Sequence, residues 1–459
     1  MLKKFENWVF YFFLFAIPIS VRHIFGYQAF NFVEWTSVYI YGTDILFFIL
    51  IAFWVGSRIP QRGVSETPRL GAGRGVESRD ADESLERVGH RPSRGIRLKT
   101  AGWFLVAFVV VAGVSIIHAL DVHTAIFQWV KLLEGVALYF YIKDYALGRF
   151  KLSHGFEALV AGGAFQAVIA IAQFMTQGSL GLKYLGESPL APAFAGIAAF
   201  YVNGIKIMRA YGTTPHSNVL ALYLFIALGA FYSIAIYQKR AWFWHVLHAV
   251  ILWAFLLTFS RVIIGLWLLT FITRSFLIRF YKPFHKEFWE DSVMRRRSLK
   301  IFGTTVVVCV LFVAVYWPYV VNRAEISATD EAIQLRVLYN HESLASGHNL
   351  FGLGMGNFVP WLMTQALHLN REVYQPVHNI YLLIYAETGP FAVALFILFL
   401  AFLLYDFYRR PGFKKLYHFS FGLIIIAVLV AGLFDHFLWT IQAGRLMFWL
   451  ALGLLAGAE

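Results

Sequence analysis

A chain of 459 residues that is 59% hydrophobic and only 14% charged, with a mean hydropathy of +0.63, is not a water-soluble protein, because soluble domains carry about a quarter charged residues. The net charge of +13 is read as the basic cytoplasmic loops of a polytopic membrane protein and not as a nucleic-acid surface. The single cysteine, Cys309, lies in an apolar run and excludes an intramolecular disulfide.

Crossing the hydrocarbon as a helix takes roughly 20 mainly apolar residues. Candidate spans run over 7–21, 36–56, 101–118, 124–142, 154–177, 216–237, 241–258, 262–280, 301–320, 379–405, 417–434 and 437–456. Their continuous apolar character lacks the alternation of a membrane barrel. The expectation is therefore an all-α integral membrane protein of about twelve transmembrane helices, with both termini on one side. Most basic residues fall on that side, including Lys3-Lys4, Lys239-Arg240, Arg295-Arg296-Arg297 and the Arg409-Arg410 to Lys414-Lys415 cluster, which makes it cytoplasmic. The chain then divides into two spans (1–56), a cytoplasmic loop (57–100), spans three to nine (101–320), a large outer loop (321–378) and spans ten to twelve (379–459).

The 57–100 segment is rich in Arg, Gly, Ser and acidic residues and reads as disordered, having too little apolar surface to offset ordering entropy. In the fourth span Lys131 and Glu134, three apart, share a helix face and predict a structural ion pair inside the bundle. Segment 178–215 is interrupted by Pro189, Pro192 and Gly196, and its semi-apolar run Phe194–Val202 suggests a partly re-entrant or surface-lying element. It ends in a polar turn, Arg209 to Asn218, that opens the sixth span. Pro215 and Asn218 suit a helix N-terminus, where free N–H groups favour an anion. Between spans seven and eight, Arg261 sits in a very short turn with no acidic neighbour, which points to an external anion.

Within the outer loop, residues 330–346 predict a short helix outside the membrane. Asp330 caps it, Ile333, Val337, Tyr339 and Leu344 partly cover one side, and Arg336 lies on it. Gly352, Gly354 and Gly356 follow no strand and precede no Lys-Ser/Thr pair, so they read as a tight turn and not a nucleotide loop. The histidines are scattered without paired zinc spacing, so no metal and no other cofactor is expected. His378 opens the tenth span, and Glu387, roughly 13 Å deeper along that helix, is assigned a structural role.

The series Gly212-Thr213, Pro215-His216-Ser217-Asn218, Ser260-Arg261, Arg336, Gly354-Met355-Gly356-Asn357-Phe358 and His378-Asn379 with Glu387-Thr388-Gly389 resembles the O-antigen ligase and polymerase superfamily over about residues 150–440. The resemblance implies a GT-C-like membrane glycosyltransferase of the bacterial inner membrane. Such an enzyme works on the outer face without a metal ion, taking a glycan from a polyprenyl (undecaprenyl) diphosphate carrier to a glycan, lipid or protein acceptor. It implies that Arg261 and Arg336 hold the diphosphate and that His378 is at the reaction centre. Arg209, His216, Asn218 and Asn379 fall in the matching motifs and are expected to bind substrate. The 57–100 insertion has no counterpart in the family. Arginine forks bind diphosphate oxygens bidentately, and a histidine can take a proton from an acceptor hydroxyl. A polymerase or a protein oligosaccharyltransferase of the same superfamily fits these motifs equally. A transporter is the alternative outside it, although no repeated halves are visible.

Overall fold

The computed structural model describes residues 1–27, 34–58, 99–237, 241–325, 331–346, 349–365, 373–410 and 416–457. The expected cytoplasmic loop at 57–100 lies almost wholly outside them, as do Asp330, Lys239-Arg240 and Lys414-Lys415. The described chain is nearly all helical. In order it forms α1 (Leu2–Ala16), strands β1 (Arg22–Tyr27) and β2 (Ser37–Tyr41), α2 (Gly42–Gly56) and α3 (Thr100–Val114). Next, α4 (Val122–Tyr141) runs through a π turn at Ile142–Ala146 into the single turn α5 (Leu147–Arg149). Then come α6 (Leu152–Thr176), strands β3 (Ala199–Val202) and β4 (Ile205–Met208), α7 (Ser217–Tyr237), α8 (Trp242–Leu257) and α9 (Arg261–Phe280). The remainder is α10 (Lys282–Glu290), α11 (Ser292–Val315), α12 (Trp317–Ala324), α13 (Glu331–Ser346), α14 (Phe358–Thr364), α15 (Ile380–Tyr408), α16 (Leu416–Ala431), α17 (Phe437–Thr440) and α18 (Gln442–Gly457).

Among the described residues seven helical stretches are long and apolar enough to cross a membrane: 100–118, 122–149, 152–176, 217–236, 261–280, 292–315 and 380–408. Three shorter apolar helices, at 42–56, 242–257 and 418–431, accompany them. α7 is the central helix, with 83% of its apolar window buried, whereas α9 and α11 bury only 22% and 28% and turn broad faces outward. Such outward apolar surface suits lipid and not water.

Several expected boundaries shift for physical reasons. The second span begins at Gly42, because Ser37–Tyr41 pair with β1 as an antiparallel ribbon. The ninth starts at Ser292 on an Asp291 cap that accepts the N–H groups of Val293 and Met294, so the three consecutive arginines lie inside the helix. It ends at Val315, and Pro318 opens the separate helix α12. The tenth is kinked where Gly389 adopts a φ of 83° ahead of Pro390, and the twelfth is broken at Ile441 into α17 and α18. The end of the semi-apolar run, Ala199–Val202, pairs with Ile205–Met208 as a β-hairpin. Asn203 and Gly204, with φ of 51° and 78°, supply the two-residue turn, a sequence that favours paired left-handed residues.

The predicted Lys131–Glu134 pair is present at 2.8 Å and belongs to a larger buried cluster. Lys131 Nζ also reaches Asp44 Oδ2 at 2.5 Å, and Gln442 Nε2 donates to Asp44 Oδ1 at 2.5 Å and Glu134 Oε1 at 2.9 Å. The cluster ties α2, α4 and α18 together with each charge matched by a partner, the condition under which buried charge is tolerated.

The three loop glycines are a packing turn. Gly352, Gly354 and Gly356 all have positive φ, and the N–H groups of Leu353 and Gly354 donate to the carbonyls of Ala386 and Glu387 in α15. A Cβ on Gly354 would lie 2.5 Å from that of Ala119, so the chain passes too close for a side chain. The Glu387 carboxylate accepts the N–H groups of Gly356 and Phe358, which gives it the structural role expected of it.

Candidate functional site

Four short segments at the same end of the bundle build the site, three of them carrying expected residues. The first is the turn before α7. Two glutamines on one face of α6 hold it: Gln173 accepts the Gly212 N–H at 2.8 Å and donates to its carbonyl at 2.9 Å, and Gln166 accepts the Thr213 N–H at 2.9 Å. Gly212 has a φ of 62°, and a Cβ there would lie 2.4 Å from Gln166 Oε1. Clamped in this way, the turn presents Arg209, His216 and Asn218. The second segment is the α8–α9 turn, where Phe259 takes a φ of 44° and Ser260 reaches the first through Asn218. The third is His378, fixed by Asn379, whose Oδ1 caps α15 by accepting the N–H groups of Tyr381 and Leu382 at 2.9 and 3.2 Å. Asn379 is thus engaged as a cap. The fourth, Asp435-His436, lies between α16 and α17.

Asn218 joins these segments. Its Oδ1 accepts from Arg209 Nη2 at 2.5 Å and from Ser260 Oγ at 3.0 Å, while its Nδ2 donates to Asp435 Oδ2 at 2.7 Å. Its backbone N–H donates to His216 Nδ1 at 3.1 Å. Arg209, only 7% exposed, also donates through Nε to the Thr258 carbonyl at 2.5 Å. His378 meets His436 edge-on, with ring centroids 4.9 Å apart, and lies parallel to Tyr339 at 5.7 Å. Trp35 packs edge-on against His436, whose Nδ1 is 2.7 Å from Thr440 Oγ1.

Arg336 reaches this cluster on α13, three residues before Tyr339 and so on the same helix face. α13 occupies Glu331–Ser346 much as expected, but Tyr339, Ser343 and Ser346 are its buried face, whereas Val337 and Leu344 are 64% and 55% exposed. Arg261 donates to the carbonyls of Arg323 and Glu325 at 2.8 and 3.1 Å, so it secures the segment after α12 while its charge faces Arg209.

The field of the site is positive. Burial holds Arg209 below its ordinary value, and the charges of Arg323 and Arg261 add to this, although a guanidinium keeps its proton. Burial and the Arg209 charge lower His216 to about 4. Burial also lowers His378, with Asp435 opposing and Arg336 reinforcing the shift, so both imidazoles are neutral at pH 7. Asp435 runs the other way: burial would raise it, but the surrounding histidines and Asn218 bring it to about 2 and keep it ionised. One anionic carboxylate therefore sits among several guanidinium groups, a surplus of positive charge that favours a further anion.

The structure brings together Arg209, His216, Asn218 and His378 and places Arg336 beside them. Arg261 enters through the same neighbourhood, on the far side of Arg209. The sequence reading missed Asp435, His436, Tyr339 and Arg323. Asp435-His436 had one visible signal, two polar residues in the narrow gap between two apolar spans. The ligand atoms of His378, Asp435 and His436 lie within 4.8 Å of one another and could face a cation, a convergence that linear spacing did not foreshadow. The charges of Arg209 and Arg336, both felt at His216, make the surroundings less favourable to a cation than to an anion.

No protein-family model matches the chain, and no curated protein matches it.

Proposed function

We propose that this chain is an O-antigen ligase-like glycosyltransferase of about twelve spans with a GT-C-like fold, seated in the bacterial inner membrane with both termini cytoplasmic and its site on the outer face. It would move a glycan from a polyprenyl diphosphate to an acceptor hydroxyl. The observation that carries the reading is the assembly of Arg209, Arg336, His216, His378 and Asp435 from distant segments into one positively charged cluster at the end of an apolar helix bundle. A headgroup diphosphate fits that charge, and its prenyl tail fits the lipid beside it.

In the proposed step the acceptor oxygen forms a bond to the anomeric carbon as the bond from that carbon to the phosphate oxygen breaks. The acceptor proton passes to His378, which is neutral and able to receive it. The diphosphate leaves with the bonding electron pair. Arg336 and Arg261 hold the charge that accumulates on it, and positioned donors of this kind supply roughly 3–4 kcal/mol each to a transition state. Asp435 stabilises the imidazolium that results.

The test is glycan transfer in membranes carrying Arg336→Ala or Arg261→Ala. Each variant should insert at normal levels and lose transfer, and full transfer in both would refute the assignment. The acceptor is identified by deleting the gene in its host. Unattached full-length polymer indicates a ligase, single repeat units a polymerase, and unglycosylated protein a protein glycosyltransferase. An unchanged glycan profile with impaired solute uptake indicates a transporter.

A further inference from the structure

A cleft with an empty volume of about 870 Å³, counted to its open mouth, lies between α7, α9, α11 and α16. Its α7 residues, Phe225 to Ile236, are roughly 12–28 Å along that helix from the end where His216 lies. The cleft therefore belongs to the opposite half of the bundle and has no part in the site described above. Trp267, Phe271, Ile301, Phe302 and Ile424 give it apolar walls.

Three polar features break those walls. Arg274 lines the cleft and donates through Nε to Ser420 Oγ at 3.2 Å. Ser298 lines the cleft and is 8% exposed, and its buried hydroxyl has no hydrogen-bond partner. At the rim, Arg297 donates to the carbonyl of Ile236, itself a wall residue, at 3.4 Å. Arg279 and Lys300 lie on the same ends of α9 and α11. The acidic residues nearby are engaged: Glu287 accepts the Leu416 N–H at 2.9 Å, and Glu290 pairs with Lys286.

α10 lies at this end of the bundle. Phe284 and Phe288 are buried within the protein, Phe284 against Phe419, while Lys282, Lys286 and Glu290 face outward and Trp289 is half-exposed. Exposed Trp and Lys at the end of an apolar bundle suit the headgroup plane. The cleft thus opens just inside that plane, where its occupant arrives from the bilayer, and Arg274, about two turns from the end of α9, can snorkel toward a phosphate.

We infer that this cleft binds one anionic diacyl phospholipid from the leaflet opposite the His378 site. One acyl chain fills the apolar interior, the phosphate rests on Arg274 and Arg297, and the Ser298 hydroxyl donates to an ester oxygen. The lipid acts as a wedge between α9 and α11, which bury least of themselves among the seven long apolar helices of the described residues.

Detergent-purified protein titrated with phosphatidylglycerol or phosphatidylcholine tests this by native mass spectrometry and by the thermal midpoint. One phosphatidylglycerol should remain bound per chain, and the midpoint should rise with its concentration. Arg274→Ala should weaken binding about tenfold, consistent with one lost charge contact to an anionic headgroup. Ser298→Phe, which fills the cleft and leaves every charge in place, should abolish it and keeps the test decisive where the arginine variant does not fold. Binding that survives Ser298→Phe, or that is equally tight for phosphatidylcholine, overturns the inference. Displacement of phosphatidylglycerol by an equimolar amount of undecaprenyl phosphate overturns the assignment to a diacyl lipid.

Discussion

The Tyr339 ring lies parallel to that of His378, 8° from coplanar with centroids 5.7 Å apart, and its hydroxyl donates to the Val373 carbonyl. One buried side chain thereby fixes α13 against the start of α15, and with it the position of Arg336 relative to His378. Aromatic pairs of this kind contribute about 0.5–1.5 kcal/mol beyond burial. Tyr339→Phe should keep the stacking and lose only the hydrogen bond, so glycan transfer should stay within about tenfold of the wild type. Tyr339→Ala removes the ring and should cost about 3–5 kcal/mol of stability, with transfer falling much further. Assays in isolated membranes, normalised to protein level, separate the two variants.

Asn218 is the joint between Arg209, Ser260 and Asp435, and its amide uses both its acceptor and its donor. Asn218→Ala removes the bond from Arg209 Nη2 and the bond to Asp435 Oδ2, leaving Arg209 only its Nε bond to Thr258 and Asp435 only the His436 N–H among these contacts. Hydrogen bonds to charged groups contribute about 1.5–3 kcal/mol, so transfer should drop by about tenfold or more through displacement of Arg209. Asn218→Asp restores an acceptor for Arg209 but sets a second carboxylate against Asp435, and it should be worse than alanine at neutral pH. It should then recover in part as the pH is lowered, an outcome that a purely steric defect does not produce.

In the proposed reaction the acid limb of the rate profile should lie below the ordinary histidine value. Burial and Arg336 lower His378, so its neutral form persists below pH 6.5. Asp435 opposes that shift, so Asp435→Asn should move the acid limb to still lower pH while reducing the rate. Stability follows the same sign. His216, lowered to about 4, contributes stability that is fully present above pH 6.5 and is lost as pH falls through 4, because the unfolded chain takes up the proton first. The thermal midpoint in detergent should therefore fall between those values, and His216→Gln should flatten the decline.

How much of this was legible in the sequence depends on whether one segment or several encode a feature. Among the described residues apolar run length located seven helices long enough to cross a membrane and three shorter ones, and the 3-residue spacing of Lys131 and Glu134 located their pair. Helix ends are set by single residues such as the Asp291 cap, the Tyr41–Asp44 box and the Gly389 kink, which hydropathy does not see. The meeting of Asn218 with Asp435, 217 residues apart, has no local signature. The Asn203-Gly204 turn had one, an Asn-Gly pair that the reading of this segment as re-entrant or surface-lying did not use. The loop glycines read correctly as a turn because no phosphate-binding strand or lysine accompanied them.

The buried cluster around Lys131 yields the sharpest stability test. Lys131 lies between Asp44 and Glu134, and Gln442 donates to both carboxylates from the other side. Removing the ammonium leaves two carboxylates facing each other away from water, and breaking a buried pair in this way costs about 3–5 kcal/mol. Lys131→Met should therefore lower the amount of folded protein recovered from membranes. Adding Glu134→Gln removes one of the two stranded charges, and the double variant should recover most of that loss. Lys131 also lines a cavity with Trp35, Pro376 and Thr440, so the readout is the amount of folded protein and not its activity. A double variant no better than Lys131→Met would mean that Asp44 alone carries the penalty. A normal yield for Lys131→Met would mean that the cluster does not hold α2, α4 and α18 together.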